Sequence, residues 1–223
     1  MSGFEFTLNG AALIARPSGA LWWPDRRLLC ISDLHLGKSE RIARRGGTLL
    51  PPYDTRETLI RLREEVELFD PWTVICLGDS FDDVDAEAGL GRDEARMLLT
   101  MLAGRRWVWI AGNHDPGPVE IGGTWVAEHV TAPLIFRHIA EHSAGRDDGA
   151  AAMGEVSGHY HPKARVPGHP SRPCFLVDDT RLILPAFGAY TGGLSIKDPA
   201  ISTLITPGAR ALMTGQRVVA IPA

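Results

Sequence analysis

Three short apolar runs recur in the first half of the chain, and each ends on small or polar residues. Leu28-Leu29-Cys30-Ile31 runs into Ser32-Asp33, Val74-Ile75-Cys76-Leu77 into Gly78-Asp79, and the run from Trp107 to Ala111 into Gly112-Asn113-His114. Runs this long without polar alternation predict central strands buried on both faces. Between the first two, Leu59, Leu62, Val66 and Phe69 recur at helical spacing. They predict a helix over 55–69, with Asp54 as its N-cap and Asp70-Pro71 as its stop. Between the second and third, Ala95, Leu98, Leu99 and Leu102 predict an inward face on a helix over 92–103, ended by Gly104. Strand alternating with helix predicts βαβ units and a mostly parallel sheet.

The flanks read differently. Residues 4–8 and 11–14 bracket Asn9-Gly10, a two-residue hairpin signal, and 21–23 predict an edge element. The second half is richer in strands, with candidates at 134–136, 155–157, 174–177 and 182–184. Asp178-Asp179 is the expected hairpin turn between the last two. Residues 143–152 are small, polar and Gly-containing and predict a loop. No internal repeat, linker or boundary interrupts the pattern, so the expectation is one α/β domain over residues 1–223.

Composition narrows the possibilities modestly. At 44% hydrophobic and 22% charged the chain is ordinary globular protein. No apolar run approaches ~20 residues, so no membrane helix is expected. Residues 1–8 lack the basic start and apolar centre of a signal peptide. Cys30 and Cys76 lie inside apolar runs and Cys174 stands apart; they read as buried thiols of a cytoplasmic protein. The formal charge of −4 argues against a protein held to nucleic acid mainly by neutralising phosphates. A nucleic-acid substrate would need a local basic patch or bound cations.

The chemistry gathers where the apolar runs end. Asp33-Leu-His35, Gly78-Asp79 and Gly112-Asn113-His114-Asp115 are followed by Gly158-His159-Tyr160-His161. In a parallel sheet these first three motifs fall at the carboxyl ends of the strands, where ligands collect. Carboxylate, amide and imidazole together suit hard divalent cations such as Mn2+. No cysteine lies in any motif, which excludes a thiolate zinc site. Two ions roughly 3.5–4 Å apart need a shared ligand, and a carboxylate can bridge. His159 and His161, two apart on a strand or turn, can meet adjacent ions. Asn113 can ligate through its amide oxygen, and His114 then reads as a general acid or transition-state donor facing substrate, with Asp115 placed to orient it, or else as a further ligand or a turn residue.

This motif order resembles the calcineurin-like metallophosphoesterase superfamily, from Asp33 to His161. The resemblance implies a four-layer sandwich, two central mixed β-sheets flanked by helices. It implies that Asp33, His35 and His161 hold one metal, that Asn113 and His159 hold the other, and that Asp79 bridges them. It also requires one more histidine between the third and last motifs. His138, at the end of the run Leu134-Ile135-Phe136-Arg137, is the choice; His142 is the alternative, and His129 a third candidate. His169 reads as exposed. Ser32-Asp33-Leu34-His35-Leu36-Gly37-Lys38 and the stretch from Leu184 to Gly193 are similar to the bacterial DNA-ligase-associated branch. Ser80-Phe81-Asp82-Asp83 departs from that branch, which often carries a histidine there.

The leading functional reading is therefore a phosphodiesterase and nuclease dependent on two divalent ions, most simply Mn2+, acting in DNA repair. The branch implies functional association with an ATP-dependent DNA ligase and a helicase, and leaves a homo-oligomer open. An alternative is a phosphodiesterase or phosphatase for cyclic nucleotides or other small phosphoesters. A third reading is a scaffold with a vestigial site. Arg41, Arg44 and Arg45 suit either a grip on a nucleic-acid backbone or a solvated helix face. Trp22, Trp23, Trp107, Trp109 and Trp125 suit either base stacking or the core.

Overall fold

The computed structural model describes residues 3–44, 53–83, 86–115, 117–118, 120–141 and 153–223. His142, Arg45 and residues 143–152 lie outside the described residues, as does the side chain of Arg44.

The first sheet begins with β1 (Phe4–Leu8) and β2 (Ala11–Ala15), an antiparallel hairpin. Asn9 and Gly10 both take positive φ at its turn (46° and 85°), as a two-residue primed turn demands. β3 (Leu21–Trp23) and β4 (Leu28–Ile31) continue the antiparallel ladder. Two helices, α1 (Lys38–Arg44) and α2 (Asp54–Phe69), precede β5 (Thr73–Cys76), and α3 (Arg92–Leu102) leads to β6 (Arg106–Ile110) and then β7 (Thr124–Val126). The seven strands lie in sequence order, and β4 to β7 are parallel.

The sheet is thus mixed, as the family resemblance implies, whereas the strand–helix alternation alone predicts a mostly parallel one. Its first three strands join through short turns, and short turns allow only antiparallel neighbours.

The second sheet is built from β8 (Glu128–Thr131), β9 (Leu134–Arg137), β10 (Gly154–Ser157), β11 (Lys163–Ala164), β12 (Arg172–Val177), β13 (Arg181–Ile183), β14 (Arg210–Met213) and β15 (Val219–Pro222), with a one-turn helix α4 (Pro199–Ser202) before β14. Its order is β15-β14-β12-β13-β10-β9-β8, with β11 paired to β12; β9, β10 and β13 are mutually parallel.

Alternation within the strands sorts side chains between layers. In β4, Leu28 and Cys30 face the second sheet, while Leu29 and Ile31 face the helices. Val108 and Ile110 face inward from β6, and Trp107 and Trp109 outward. Phe136, Val156, Phe175 and Leu182 meet the first sheet from the other side. Each such side chain contributes about 1.5–3 kcal/mol by leaving water. This shared core sets the spacing between the two sheets, and so the spacing of the loops at their ends.

The outer layers are unequal. Leu59, Leu62 and Val66 of α2, with Leu98 and Met101 of α3, cover the first sheet. Leu99, expected inward, is 51% exposed, because the buried stripe runs through Leu98 and Met101 and Leu99 lies one residue, about 100°, off it. Asp54 does not cap α2. Tyr53 holds the N-cap position without a side-chain bond, and the Asp54 carboxylate instead accepts the Ser39 N–H of α1 at 3.0 Å. Among the described residues, α4 and loops pack over the second sheet, through Ile196, Ile201 and Leu204. A buried ion pair, Arg181 with Glu155 at 2.6 Å, occupies the same face, and the Arg181 guanidinium also donates to the carbonyls of Leu204 and Glu141. Among the described residues no helix is long and apolar enough to cross a membrane.

Candidate metal centre

The site forms where the carboxyl ends of both sets of parallel strands come together. β4 and β5 run out into loops that remain stitched to each other. The N–H groups of Asp33, His35 and Leu36 donate to the carbonyls of Gly78 (3.3 Å), Asp79 (2.9 Å) and Ser80 (2.9 Å). From the second sheet comes His138. It continues the two-residue period of Leu134 and Phe136, both of which face the inter-sheet core. Its ring fits only because Gly78 has no side chain, since a Cβ there would stand 2.5 Å from His138 Nδ1. Gly158 provides the same clearance on the other side. A Cβ there would lie 1.8 Å from Ser32 Oγ and 2.6 Å from Asp33 Oδ2.

Five polar residues here adopt left-handed backbone: Asp33 (φ 52°), His35 (46°), Asp79 (45°), His159 (69°) and His161 (47°). For residues with a Cβ this costs on the order of 1 kcal/mol or more each. Hydrogen bonds hold the conformations. Asp33 Oδ2 accepts from the His159 N–H at 3.0 Å and from the Ser32 hydroxyl. Asp79 Oδ1 accepts from the His114 N–H at 2.9 Å.

Three groups of ligand atoms lie within 4.8 Å of one another: those of Asp33, His35 and His161; of Asp79, His138 and His159; and of His35, Asp79 and His114. Asn113 Oδ1 stands 2.9 Å from His138 Nε2. All seven residues that sequence reasoning selects as ligands therefore converge, and His114 borders them. His129 does not. Its Nε2 faces Thr131 Oγ1 at 3.2 Å, away from these groups. His169 is exposed.

The donor set suits divalent cations. Asp33 Oδ1, His35 Nε2 and His161 Nε2 are buried without a well-formed hydrogen bond, and Asp33 Oδ1 and His161 Nε2 stand 3.1 Å apart. Buried polar atoms are otherwise almost always satisfied, so three that converge on one point are shaped for a cation. The neighbouring nitrogens fix the tautomers. His35 Nδ1–H donates to Asp82 Oδ1 at 2.8 Å, and His138 Nδ1–H donates to the Leu77 carbonyl at 2.8 Å. Both contacts leave Nε2 as a lone-pair donor facing inward. His114 is oriented likewise, its Nδ1 lying 3.0 Å from the Asp82 carbonyl.

Asp115 does not orient His114. Its carboxylate accepts the N–H groups of Ser80 (2.7 Å), Phe81 (3.0 Å) and Gly112 (3.2 Å), and so clamps the second and third motifs together. Adjacent residues on a turn point apart, and here they serve different loops.

The electrostatics follow from crowding. Burial pushes Asp79 upward, but hydrogen bonding and charge from His138 outweigh it and hold the carboxyl well below the usual range. Asp33 is likewise lowered against burial by His161 and His138, and Asp82 by His35 and Arg41. His138 is raised by Asp79 and Asp33 despite burial. His159 is lowered by burial and by His138. Asp115 is pushed up to about 6 by burial, with Asp79 adding to the rise. The site thus holds ionised carboxylates beside histidines that exchange protons for cations. All three cysteines are buried and free, and none reaches the centre.

Sequence reasoning missed Asp82 as the residue that fixes His35, and it did not say what the segment after Leu184 does. That segment backs the first motif. The Phe187 and Gly188 N–H groups donate to the carbonyls of Ser32 (2.7 Å) and Asp33 (3.0 Å). A Cβ on Gly188 would stand 2.3 Å from the Leu34 carbonyl oxygen. Trp22, Trp23, Trp107 and Trp109 are core, so base stacking does not fall to them. The exposed indole is Trp72, with the Arg27 guanidinium 4.9 Å from its ring centroid.

With this geometry in view, residues 26–167 match the family model described as calcineurin-like phosphoesterase. The match spans more than half of the chain, and the protein belongs to that family; it is a metal-dependent phosphoesterase with the family's sandwich fold. Among solved structures it resembles the Pseudomonas putida nuclease MPE, with a TM-score of 0.76 and 28% sequence identity over 98% of this chain and 100% of that chain. No curated protein matches it.

Proposed function

We propose that the protein is a phosphodiesterase that cuts nucleic-acid strands, working with two divalent cations, Mn2+ in the simplest case, and that residues 1–223 form one functional domain. The observation that carries the reading is the convergence of Asp33 Oδ1, His35 Nε2 and His161 Nε2, buried and without well-formed hydrogen bonds, beside the cluster of Asp79, His138 and His159. Asp33, His35 and His161 would hold one ion; Asn113, His138 and His159 the other; Asp79 would be shared. Likeness to a nuclease along nearly the whole chain supports a nucleic-acid substrate, and the resemblance to the ligase-associated branch supports a role in DNA repair.

When bound, two such ions supply charge stabilisation to a phosphate and lower the pKa of a water. The chain's own groups do the rest. Asp82 and the Leu77 carbonyl keep the imidazoles in register. His114, held through Nδ1 by the Asp82 carbonyl, presents Nε2 toward the cluster and, as an imidazolium, gives the Nε2 proton to the departing oxygen. The formal charge of −4 favours the second reading, a small-molecule phosphodiesterase.

A substrate panel decides between them. With Mn2+ present, single- and double-stranded DNA, a cyclic nucleotide and an aryl phosphodiester are compared, each with and without chelator. We expect DNA and the aryl diester to be cleaved and chelation to abolish both. Turnover of the cyclic nucleotide alone would favour the second reading, and activity that survives chelation would overturn the metal assignment.

A further inference from the structure

The end of the first sheet opposite the metal centre carries a second polar surface. β4, β5 and β6 are parallel. The residues that lead into them therefore gather at one edge, as the motifs that leave them gather at the other. Arg27, Trp72 and Arg106 form a row across these three strands. The Trp72 N–H donates to the Arg27 carbonyl at 2.8 Å, and the Arg106 N–H to the Trp72 carbonyl at 2.9 Å. Strands of this length set the row roughly 15–20 Å from the ligand cluster, too far to be part of it.

Trp72 is 66% exposed, although an indole is a large apolar surface to leave in water. It is not loose. The Arg27 guanidinium lies over its ring, 4.9 Å from the centroid. Arg27 in turn donates to the Asp70 carboxylate at 2.9 Å and to the Asp70 carbonyl. Arg105 donates to the other oxygen of that carboxylate, also at 2.9 Å. The ring is thus braced on one face and open on the other, with little freedom left to lose when a flat partner stacks on it. Charge points the same way. Residues 25–27, 70–72 and 105–106 hold four arginines against Asp25 and Asp70, and Arg26 and Arg106 are exposed. The patch is cationic on a chain whose formal charge is −4.

We propose that this row is a second nucleic-acid contact, separate from the metal centre. It takes single-stranded DNA by stacking a base on the open face of Trp72, while Arg26 and Arg106 meet the phosphates. An open aromatic face among cations suits a strand that alternates flat rings with charge; an acidic protein segment supplies the charge alone. The choice of polyanion rests on the nucleic-acid reading of the metal centre, but the binding itself needs no metal.

The test uses the full-length protein, with chelator to prevent cleavage, and a labelled oligothymidylate. Binding should quench tryptophan emission, and the quench should vanish in Trp72→Phe. Trp72→Ala should weaken binding about 5–100-fold, the worth of one stacked base, and Trp72→Phe should recover most of that loss. In an Arg26→Ala/Arg106→Ala double variant the slope of log affinity against log salt should become shallower by about 1.4. Turnover of an aryl phosphodiester by the Mn2+-loaded protein should be the same in every variant.

Unchanged affinity in Trp72→Ala would overturn the proposal. So would loss of aryl diester turnover in that variant, which would make Trp72 a structural prop. Polyglutamate that binds with the same dependence on Trp72 would make the row a dock for acidic protein instead. If the Mn2+-loaded protein cuts no DNA while the chelated protein still binds it through Trp72, the reading of the metal centre fails and the row stands. If DNA is cut but the chelated protein binds none, the row fails alone.

Discussion

At the scale of single residues, the chemistry is divided between atoms that face the cluster and atoms that hold those in place. His114 is the residue where this division can be measured. Its N–H anchors Asp79 and its ring is held by a carbonyl, so removal of the ring leaves the backbone contact intact. We expect His114→Ala to retain metal content. Its turnover on DNA, whose leaving oxygen is a basic alkoxide, should fall about 10²–10⁴-fold. An aryl diester, whose phenolate departs without a proton, should lose far less. Equal losses on both would show that His114 stabilises phosphate charge, and loss of metal would make it a ligand. The motif residues could be read from sequence because each stands where an apolar run stops. Asp82 could not be read. Its role depends on which nitrogen of His35 faces inward, and no spacing along the chain encodes that. Asp115 was misread for the opposite reason: it neighbours His114 in sequence, but its carboxylate serves backbone from another loop.

At the scale of elements, strands with continuous apolar runs were legible because both faces are covered, and the Asn9-Gly10 hairpin because its turn type is chemically specified. The mixed order of the first sheet follows from the family resemblance and that hairpin but not from the strand–helix alternation, since the antiparallel strands join it through turns that leave no mark on the helical pattern. The thin outer layer over the second sheet was hidden too, because covering by loops carries no periodicity. The turn between β12 and β13 is instructive. Asp178-Asp179 is weaker than Asn-Gly by composition, yet Asp178 accepts the N–H groups of Thr180 (2.8 Å) and Arg181 (2.7 Å) with Oδ1, and the N–H (2.9 Å) and hydroxyl (3.1 Å) of Thr206 with Oδ2. Burial pushes its carboxyl up, but these bonds outweigh burial and lower it. Asp178→Ala should therefore cost about 2–3 kcal/mol, seen as a melting temperature lower by about 4–10 °C. The sign with pH follows. A carboxyl whose folded pKa is depressed stabilises fully above its unfolded value, about 3.9, and that stability is lost as pH falls through the folded value. The gap between parent and variant should be constant near neutrality and close below about pH 4. A gap that persisted unchanged at pH 2 would show that packing, not the charge, was lost.

At the scale of the whole molecule, the candidate ligands come from both sheets. Asp33, His35, Asp79 and Asn113 follow strands of the first, and His138, His159 and His161 follow strands of the second. A cation held between them would cross-link the sandwich. Binding to the folded state alone stabilises by about 2.7 kcal/mol at a hundredfold excess over Kd. Chelation should thus lower the melting temperature by roughly 5–10 °C, and the loss should be smaller in an Asp79→Asn variant, which lacks the shared carboxylate. Protons compete for the histidines, so the stabilisation should fade as pH drops below about 6. A melting temperature indifferent to Mn2+ at neutral pH would argue that no cation spans the sheets.

The bonds from Phe187 and Gly188 onto Ser32 and Asp33 bear on how the protein is made. The first motif leaves the ribosome about 150 residues before the segment that backs it and the strand β13 that pairs with β10. At roughly 5–20 residues per second, the Asp33 loop waits about 8–30 seconds for its support. Until then its left-handed backbone has the bonds to the 78–80 loop but not this backing, and the contact from His159, 126 residues downstream, also comes late. A cation held by Asp33, His35 and His161 would therefore be taken up late, after the segment around Gly188 has been made.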